Sequence, residues 1–462
     1  MRHMTPAEIA AFAPDPLPDK STTLELARRA MQSAGCATGQ QQMGSRWPIG
    51  CVALEITQRC NLDCTLCYLS EHSEAVQDIP IDEIYRRIDL ITQYYGPGTD
   101  VQITGGEPTL RRRDELLAIV RRVRERGLRP TLMTNGRRAT RALLEELAAA
   151  GLTDVAFHVD TTQQLKGYRS EVELNALRAD YLDRADGLPL SVMFNTTVHD
   201  GNLEEVPDLV RFFKANAGRV RTASFQVQAQ TGRGIHEKRT TITLEDVTER
   251  IEKGAATTIN FGGSMPGHPR CNRYGLCLAL NGKLYDALDD AEFVARLQPA
   301  TARIVFDRGN WRRTARALLA WLAVSPRYWW AITRWSARKV WRMRGDLMAA
   351  RGRVRTLSFL VHGFMDAGGL ERERIEACVF KAMTRDGPVS MCLHNAKRDS
   401  YILQPIRMHT WAGDRYWNPL SGALGREPGE PLRAKLQQPG RKRAKGSLRA
   451  TLHGDRAAGG GR

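Results

Sequence analysis

Residues 51–68 read CVALEITQRCNLDCTLCY. Val52, Leu54 and Ile56 fall on one side of an extended chain, the alternation of a buried strand. That strand delivers Cys60, Cys64 and Cys67 into a loop, three thiols within eight residues. Thiolates are soft donors that match zinc or iron–sulfur clusters rather than hard cations. A structural zinc wants four closed ligands, usually as two pairs, and no second C-x-x-C occurs in the chain. Three cysteines suit a cubane cluster with one iron left open.

Downstream, Ile84, Ile88, Ile91 and Tyr95 repeat at helical spacing over 82–95, and Gly96-Pro97-Gly98 stops them. A strand over 101–104 then runs into Gly105-Gly106-Glu107-Pro108-Thr109. Glycines there let backbone approach a ligand closely, and Glu107 can accept from an ammonium group. The pattern continues with helix 114–126, strand 130–134, helix 140–150, strand 154–159, a helix near 171–184, strand 190–198, helix 203–216, strand 221–228 and a helix near 244–254. Six strand–helix units imply a parallel sheet with right-handed crossovers, an open partial (β/α)6 barrel of α/β class over 51–256. Chemistry gathers at the carboxyl ends of such strands, where Cys60, Glu107, Asn135, Asp160, Asn195 and Gln228 fall. A polar residue at a strand end can equally be a helix cap. His158, in mid-strand, reads as a satisfied core histidine.

The C-x-x-x-C-x-x-C run followed by Tyr68, taken with GGEPT, resembles the signature of the radical S-adenosylmethionine (SAM) superfamily. The resemblance implies a 4Fe–4S cluster on Cys60, Cys64 and Cys67, its open iron chelated by the amino and carboxylate groups of SAM. An electron passed to the sulfonium then yields a 5'-deoxyadenosyl radical. It implies an electron donor such as a flavodoxin or ferredoxin. It also makes Tyr68, Gly105, Gly106, Glu107 and Asn135 cofactor contacts, with Asp160, Asn195 and Gln228 near the ribose, adenine or methionine parts.

Beyond the barrel, Cys271 and Cys277 lie in HPRCNRYGLC, and Cys378 and Cys392 in ERIEACVFKAMTRDGPVSMCLHN. Singly, each reads as a small buried apolar residue. Their spacings match no standard zinc module, and beside a radical-enzyme barrel the four suit an auxiliary 4Fe–4S cluster, in an extension formed by 257–298 and 356–410. The segment from Phe364-Met365-Asp366 through the two cysteines resembles the tetraether-synthase-like group. That implies hydrogen abstraction from an unactivated carbon and the joining of lipid tails. Radical methylation of a pterin-like molecule, RNA modification and a non-enzymatic electron-transfer role are the alternatives. The amino-terminal cysteine pairs of a rubredoxin-like site are absent, only Cys36 standing there.

The formal charge of +17 is concentrated. Residues 303–355 carry 14 Arg or Lys against Asp307 and Asp346. This basic insert, 299–355, contains PRYWWAITRWSARKVWRMRGDLM, whose helical projection puts Tyr328, Trp329, Ile332, Trp335, Val340, Met343 and Leu347 on one stripe and Arg327, Arg334, Arg338 and Arg342 opposite. Such a helix suits an anionic membrane surface. Nucleic acid ranks lower, as no recognisable binding module occurs. No apolar run approaches the ~20 residues that span a bilayer. Residues 1–50 form an extension with one helix near Thr23–Ser33 and no apolar core of a secretory signal, so a cytoplasmic, reducing setting is expected, peripheral to the inner membrane surface at most. Residues 425–462 read as a disordered basic tail.

Overall fold

Strand β1, Cys51–Thr57, is buried at every position. Apolar residues alternate along it, but a parallel sheet is covered on both faces, so its central strands bury both sets of side chains. In the computed structural model, which describes residues 2–17, 23–42, 44–45, 51–233, 241–306, 310–411 and 413–428, this strand is an interior one, third of eleven from one edge of the chain's main sheet.

The five strands that follow are β2 (Asp100–Gly105), β3 (Arg129–Thr134), β4 (Asp154–His158), β5 (Ser191–Val198) and β6 (Val220–Val227). Each pairs in parallel with its predecessor. The helices Ile81–Tyr95, Arg113–Glu125, Arg141–Ala149, Asn175–Ala185, Val206–Ala215 and Leu244–Ala255 supply the crossovers. Local chemistry fixes their ends. Thr243 and Asp246 form a reciprocal capping box, and Thr140 accepts from the Leu143 N–H. The fourth helix starts later than its periodicity suggests, since Glu171 is turned inward to bind Arg178, Thr161 and Asn202.

The remaining strands enlarge the same sheet rather than forming a separate layer. They are β7 (Asn272–Leu280), β8 (Lys283–Asp286), β9 (Arg355–Gly363), β10 (Phe380–Thr384) and β11 (Gly387–Ser390). β9 joins β6 in parallel and β10 joins β1 in parallel, giving the order β11-β10-β1-β2-β3-β4-β5-β6-β9-β7-β8. Eight strands, β10 through β9 in that order, therefore run parallel, two more than the six repeating units read from the sequence. No hydrogen bonds join β9 to β10, so the barrel is open. Its mouth is nevertheless bridged by side chains: His362 of β9 and Phe380 of β10 have ring centroids 5.7 Å apart, and Phe364 lies 6.2 Å from Phe380.

Between β8 and β9 stand the helices Ala291–Ala300, Trp311–Ala323 and Trp329–Ala349. The last sits rotated from the expected projection. Trp335 stacks on Phe293 and Met343 is buried, but Val340 points out, and Lys339 and Asp346 are turned inward. The acids of the β8 turn explain this, because Asp289 binds Lys339 and Arg342, and Asp290 binds Arg338. A small sheet of β12 (Ile406–Thr410), β13 (Gly413–Trp417) and β14 (Leu424–Gly425) closes the described chain. Residues 424–425 thus pair in a strand rather than opening a structureless tail, and 429–462 lie outside the described residues.

Candidate active site

Cys60, Cys64 and Cys67 follow β1 at the carboxyl end of the parallel strands and line one cavity of about 270 Å³. Burial, then the neighbouring Cys67, Asp160 and Cys60, push the Cys64 thiol well above its usual range. Such a thiol stays protonated until a metal claims the sulfur, which then deprotonates it outright. Among the described residues, no three His, Cys, Asp or Glu side chains gather closely enough for a single metal ion. Three soft thiols open to a cavity, without a fourth ligand, are the donor set of a cluster and not of a mononuclear zinc.

The loop carrying these thiols is clamped from two sides. The Gly106 N–H donates to the Thr57 carbonyl at 2.9 Å and the Glu107 N–H to that of Arg59 at 2.7 Å. A Cβ on Gly105 would lie 2.0 Å from the Thr57 oxygen and one on Gly106 2.1 Å from the Arg59 oxygen, so only glycine fits at either position. Gly105 and Gly106 line the cavity. Glu107 does not: it is fully buried, accepting from Thr109 N–H and hydroxyl, the Thr134 hydroxyl and the Asn135 N–H. Burial nonetheless pushes its carboxyl up. Through these bonds Glu107 braces the glycine pair against β3. Asn135 extends the brace, its Nδ2 donating to Asn61 Oδ1 at 2.7 Å beside Cys60. The Tyr68 hydroxyl donates to the Gly105 carbonyl at 2.6 Å, and Arg398 lies over its ring.

Asp160 is likewise enclosed. Its oxygens accept from the N–H and hydroxyl of Thr162 and from the Thr197 N–H at 2.8 Å, the cap reading of a strand-end acid. It also faces His158 Nε2 at 2.8 Å. Burial opposes its charge, but His158 and these donors hold the carboxyl well below the usual range. His158 is satisfied, as expected, yet it is a cavity wall and not core: Asp160 takes Nε2, and Asn195 Nδ2 lies 2.9 Å from Nδ1. Although burial lowers the His158 pKa, Asp160 outweighs it and raises the value. Asn195 lines the cavity directly.

Gln228 does not line it, whereas Gln226 does. Side chains alternate along a strand, so on β6 the inward set is Thr222, Ser224 and Gln226, between the buried Ala223, Phe225 and Val227 that face the helices. The polar–apolar alternation of Thr222 to Val227 is the sequence signal that identifies them. His362 and Arg233 had no such signal. Arg233 is placed by folding beside Cys67, its N–H donating to the Leu69 carbonyl and its guanidinium to Glu74 at 3.1 Å. Gly232 makes that approach possible, since a Cβ there would meet the Cys67 oxygen at 2.3 Å.

Cys271, Cys378 and Cys392 come together with His268 behind the wall formed by His362, Phe364 and Phe380, which also lines the main cavity. Arg374 Nε donates to Cys271 Sγ at 3.2 Å, and the Met365 N–H points at Cys392 Sγ at 3.4 Å. Burial pushes the Cys271 and Cys392 thiols up. Cys277 is not among them. It lies six residues along extended chain from Cys271, about 20 Å, buried near Asp286 and Lys339.

Residues 54–213 match the family model described as Radical SAM superfamily. The chain is 33% identical over 174 residues to a probable GTP 3',8-cyclase of Pyrococcus abyssi, covering 37% of this chain and 55% of that protein. It is 28% identical over 210 residues to a 7,8-dihydro-6-hydroxymethylpterin dimethyltransferase of Methanocaldococcus jannaschii, covering 43% and 41%. The chain thus spans about half the length of the curated relatives it matches. Among solved structures, Streptococcus suis SuiB bound to S-adenosylmethionine is similar at 19% identity and a TM-score of 0.34, over 44% of this chain and 46% of that one.

Proposed function

We propose, from the match of residues 54–213 to the Radical SAM superfamily model, that the protein is a radical SAM enzyme removing a hydrogen atom from an unactivated carbon of a largely apolar substrate such as a lipid tail. Cys60, Cys64 and Cys67 would hold the 4Fe–4S cluster. When bound, the cluster and S-adenosylmethionine supply a one-electron cleavage that leaves a radical on the adenosyl carbon. A low-potential reductant such as a flavodoxin or ferredoxin is the partner this requires. Glu107 and Asn135 hold the cysteine loop in register, and the Gly105–Gly106 backbone and Tyr68 border the cofactor space. His158, Asn195, Ser224 and Gln226 offer hydrogen-bonding edges on the floor, while Leu62, Leu66, Met193, Leu360, Phe364 and Met391 keep water from the reacting carbon. The observation that carries this reading is the cavity itself: three thiols open onto walls that are mostly apolar, with polar groups on the inward faces of the parallel strands and a few more, Asn135, Gln163, Thr231 and Asn395, from the segments beyond them. Cys271, Cys378 and Cys392, without Cys277, are the ligands we assign to an auxiliary cluster.

The test is anaerobic reconstitution followed by reduction in the presence of S-adenosylmethionine. Release of 5'-deoxyadenosine is expected, and its absence from fully loaded protein overturns the proposal. Comparing lipid extracts of cells with and without the protein then addresses the substrate. The polar row Thr222, Ser224 and Gln226 favours a second reading, a polar heterocycle of the pterin or purine kind, and a changed pool of small molecules with unchanged lipids would select it.

A further inference from the structure

The Trp329–Ala349 helix has one side committed to the protein. Trp335 stacks on Phe293 with ring centroids 5.6 Å apart, Lys339 meets Asp289 at 2.9 Å, Met343 is buried, and Asp346 accepts from Asn281, Lys283 and Tyr285. The opposite side carries Trp330, Arg334, Ala337, Trp341, Arg344 and Met348, all exposed and each three or four residues from the next. That spacing makes one straight stripe about 27 Å long. Trp330 is 75% exposed, Trp341 67% and Met348 75%. Scattered apolar residues on a surface need no explanation, but two tryptophans and a methionine in line do.

The composition of the stripe selects its partner. Arg344 lies over the Trp341 ring at 4.1 Å, and the row carries no carboxylate, because the helix's one acid, Asp346, is turned inward. A purely apolar partner would leave the arginines unmatched, and a purely polar one the indoles. An interface with anionic oxygens at one depth and acyl chains just below matches both.

Placement agrees. β8 runs antiparallel to β7, and β7 antiparallel to β9, so β8 points the same way as the barrel strands. The helix lies against it in reverse, Asp346 at Lys283, Lys339 at Asp286 and Trp335 at Phe293. Its Trp330 end therefore lies toward the edge of the sheet where the cysteines open.

We propose that this stripe docks the protein on the surface of a bilayer containing anionic phospholipid, its tryptophans and Met348 at the acyl boundary and its arginines on phosphate. The proposal goes beyond the radical chemistry and does not rest on it. No helix among the described residues is long and apolar enough to cross a membrane, so the contact is with the surface.

The test is flotation of full-length, cluster-loaded protein with vesicles of phosphatidylcholine alone or with phosphatidylglycerol. Binding is expected on the anionic vesicles, about tenfold weaker or more for Trp330→Ala/Trp341→Ala and for Arg334→Glu/Arg344→Glu. Both double variants should keep wild-type iron content, which separates lost docking from lost folding. Equal binding to neutral vesicles, unchanged flotation of both variants, displacement by a single-stranded RNA at matched phosphate concentration, or self-association abolished by the same substitutions would each overturn the proposal.

Discussion

At Gly105 the backbone takes φ +131° with the Thr57 carbonyl where a side chain would be, so neither conformation nor space admits a Cβ. Gly105→Ala should displace the Thr57–Arg59 segment and with it Cys60; reconstituted iron is expected to fall well below wild type, read by iron and sulfide assay. Glu55 is a second case in which burial decides the chemistry. Burial raises its pKa, but Arg398, at 2.6 Å and 2.8 Å from its two oxygens, and His394 lower it to about 2. A carboxyl depressed from an unfolded value near ~4.3 stabilises the fold above that pH and ceases to do so as pH falls toward 2. Glu55→Gln should therefore cost about 3 kcal/mol at pH 7, from breaking a buried pair. The gap to wild type should narrow below about pH 4.5 in denaturant titrations; a constant gap would remove the charge from the account. Residue chemistry of this kind is legible along the chain only where partners are close in sequence. The glycine pair announced itself, whereas Arg398 meets Glu55 from 343 positions away.

Among the elements, the Trp329–Ala349 helix shows what an amphipathic projection leaves open. A projection ranks faces by hydropathy, but Asp289 and Asp290 attract Arg338, Lys339 and Arg342, and the helix settles with a lysine beneath it and Val340 outside. Asp289→Asn is expected to loosen this helix without unfolding the barrel. Limited trypsin digestion should cut within 327–353 about tenfold faster while the main thermal transition stays in place. β6 teaches the converse. Gln228 was the expected contact, yet it lies one residue past the end of β6, where the strand's alternation no longer applies, and the cavity is lined by Gln226, the last inward residue of the strand itself. Helices and strands of the barrel were readable to within a few residues because their periodicity is driven by a helix-covered parallel sheet, as at Ile84, Ile88 and Ile91.

For the molecule as a whole, the decisive event is the curl of the sheet that brings β9 to β10. It places Phe364 and Phe380 between the main cavity and the second group of thiols. A Cys60→Ala/Cys64→Ala/Cys67→Ala variant should retain about four irons on Cys271, Cys378 and Cys392. Cys277→Ala should leave iron content unchanged in either background, and iron lost with Cys277 would return it to the ligand set. The sequence alone determined the first thiol group, the glycine turn and the alternating α/β class, because each depends on neighbours a few residues apart and on a repeating pattern of burial. Only the tertiary structure decided which distant cysteines meet, that Glu107 and Asp160 brace rather than face the cavity, and which side of the tryptophan helix is left exposed. These depend on sheet curvature, strand register and ion pairs between segments far apart in the chain, none of which leaves a local pattern.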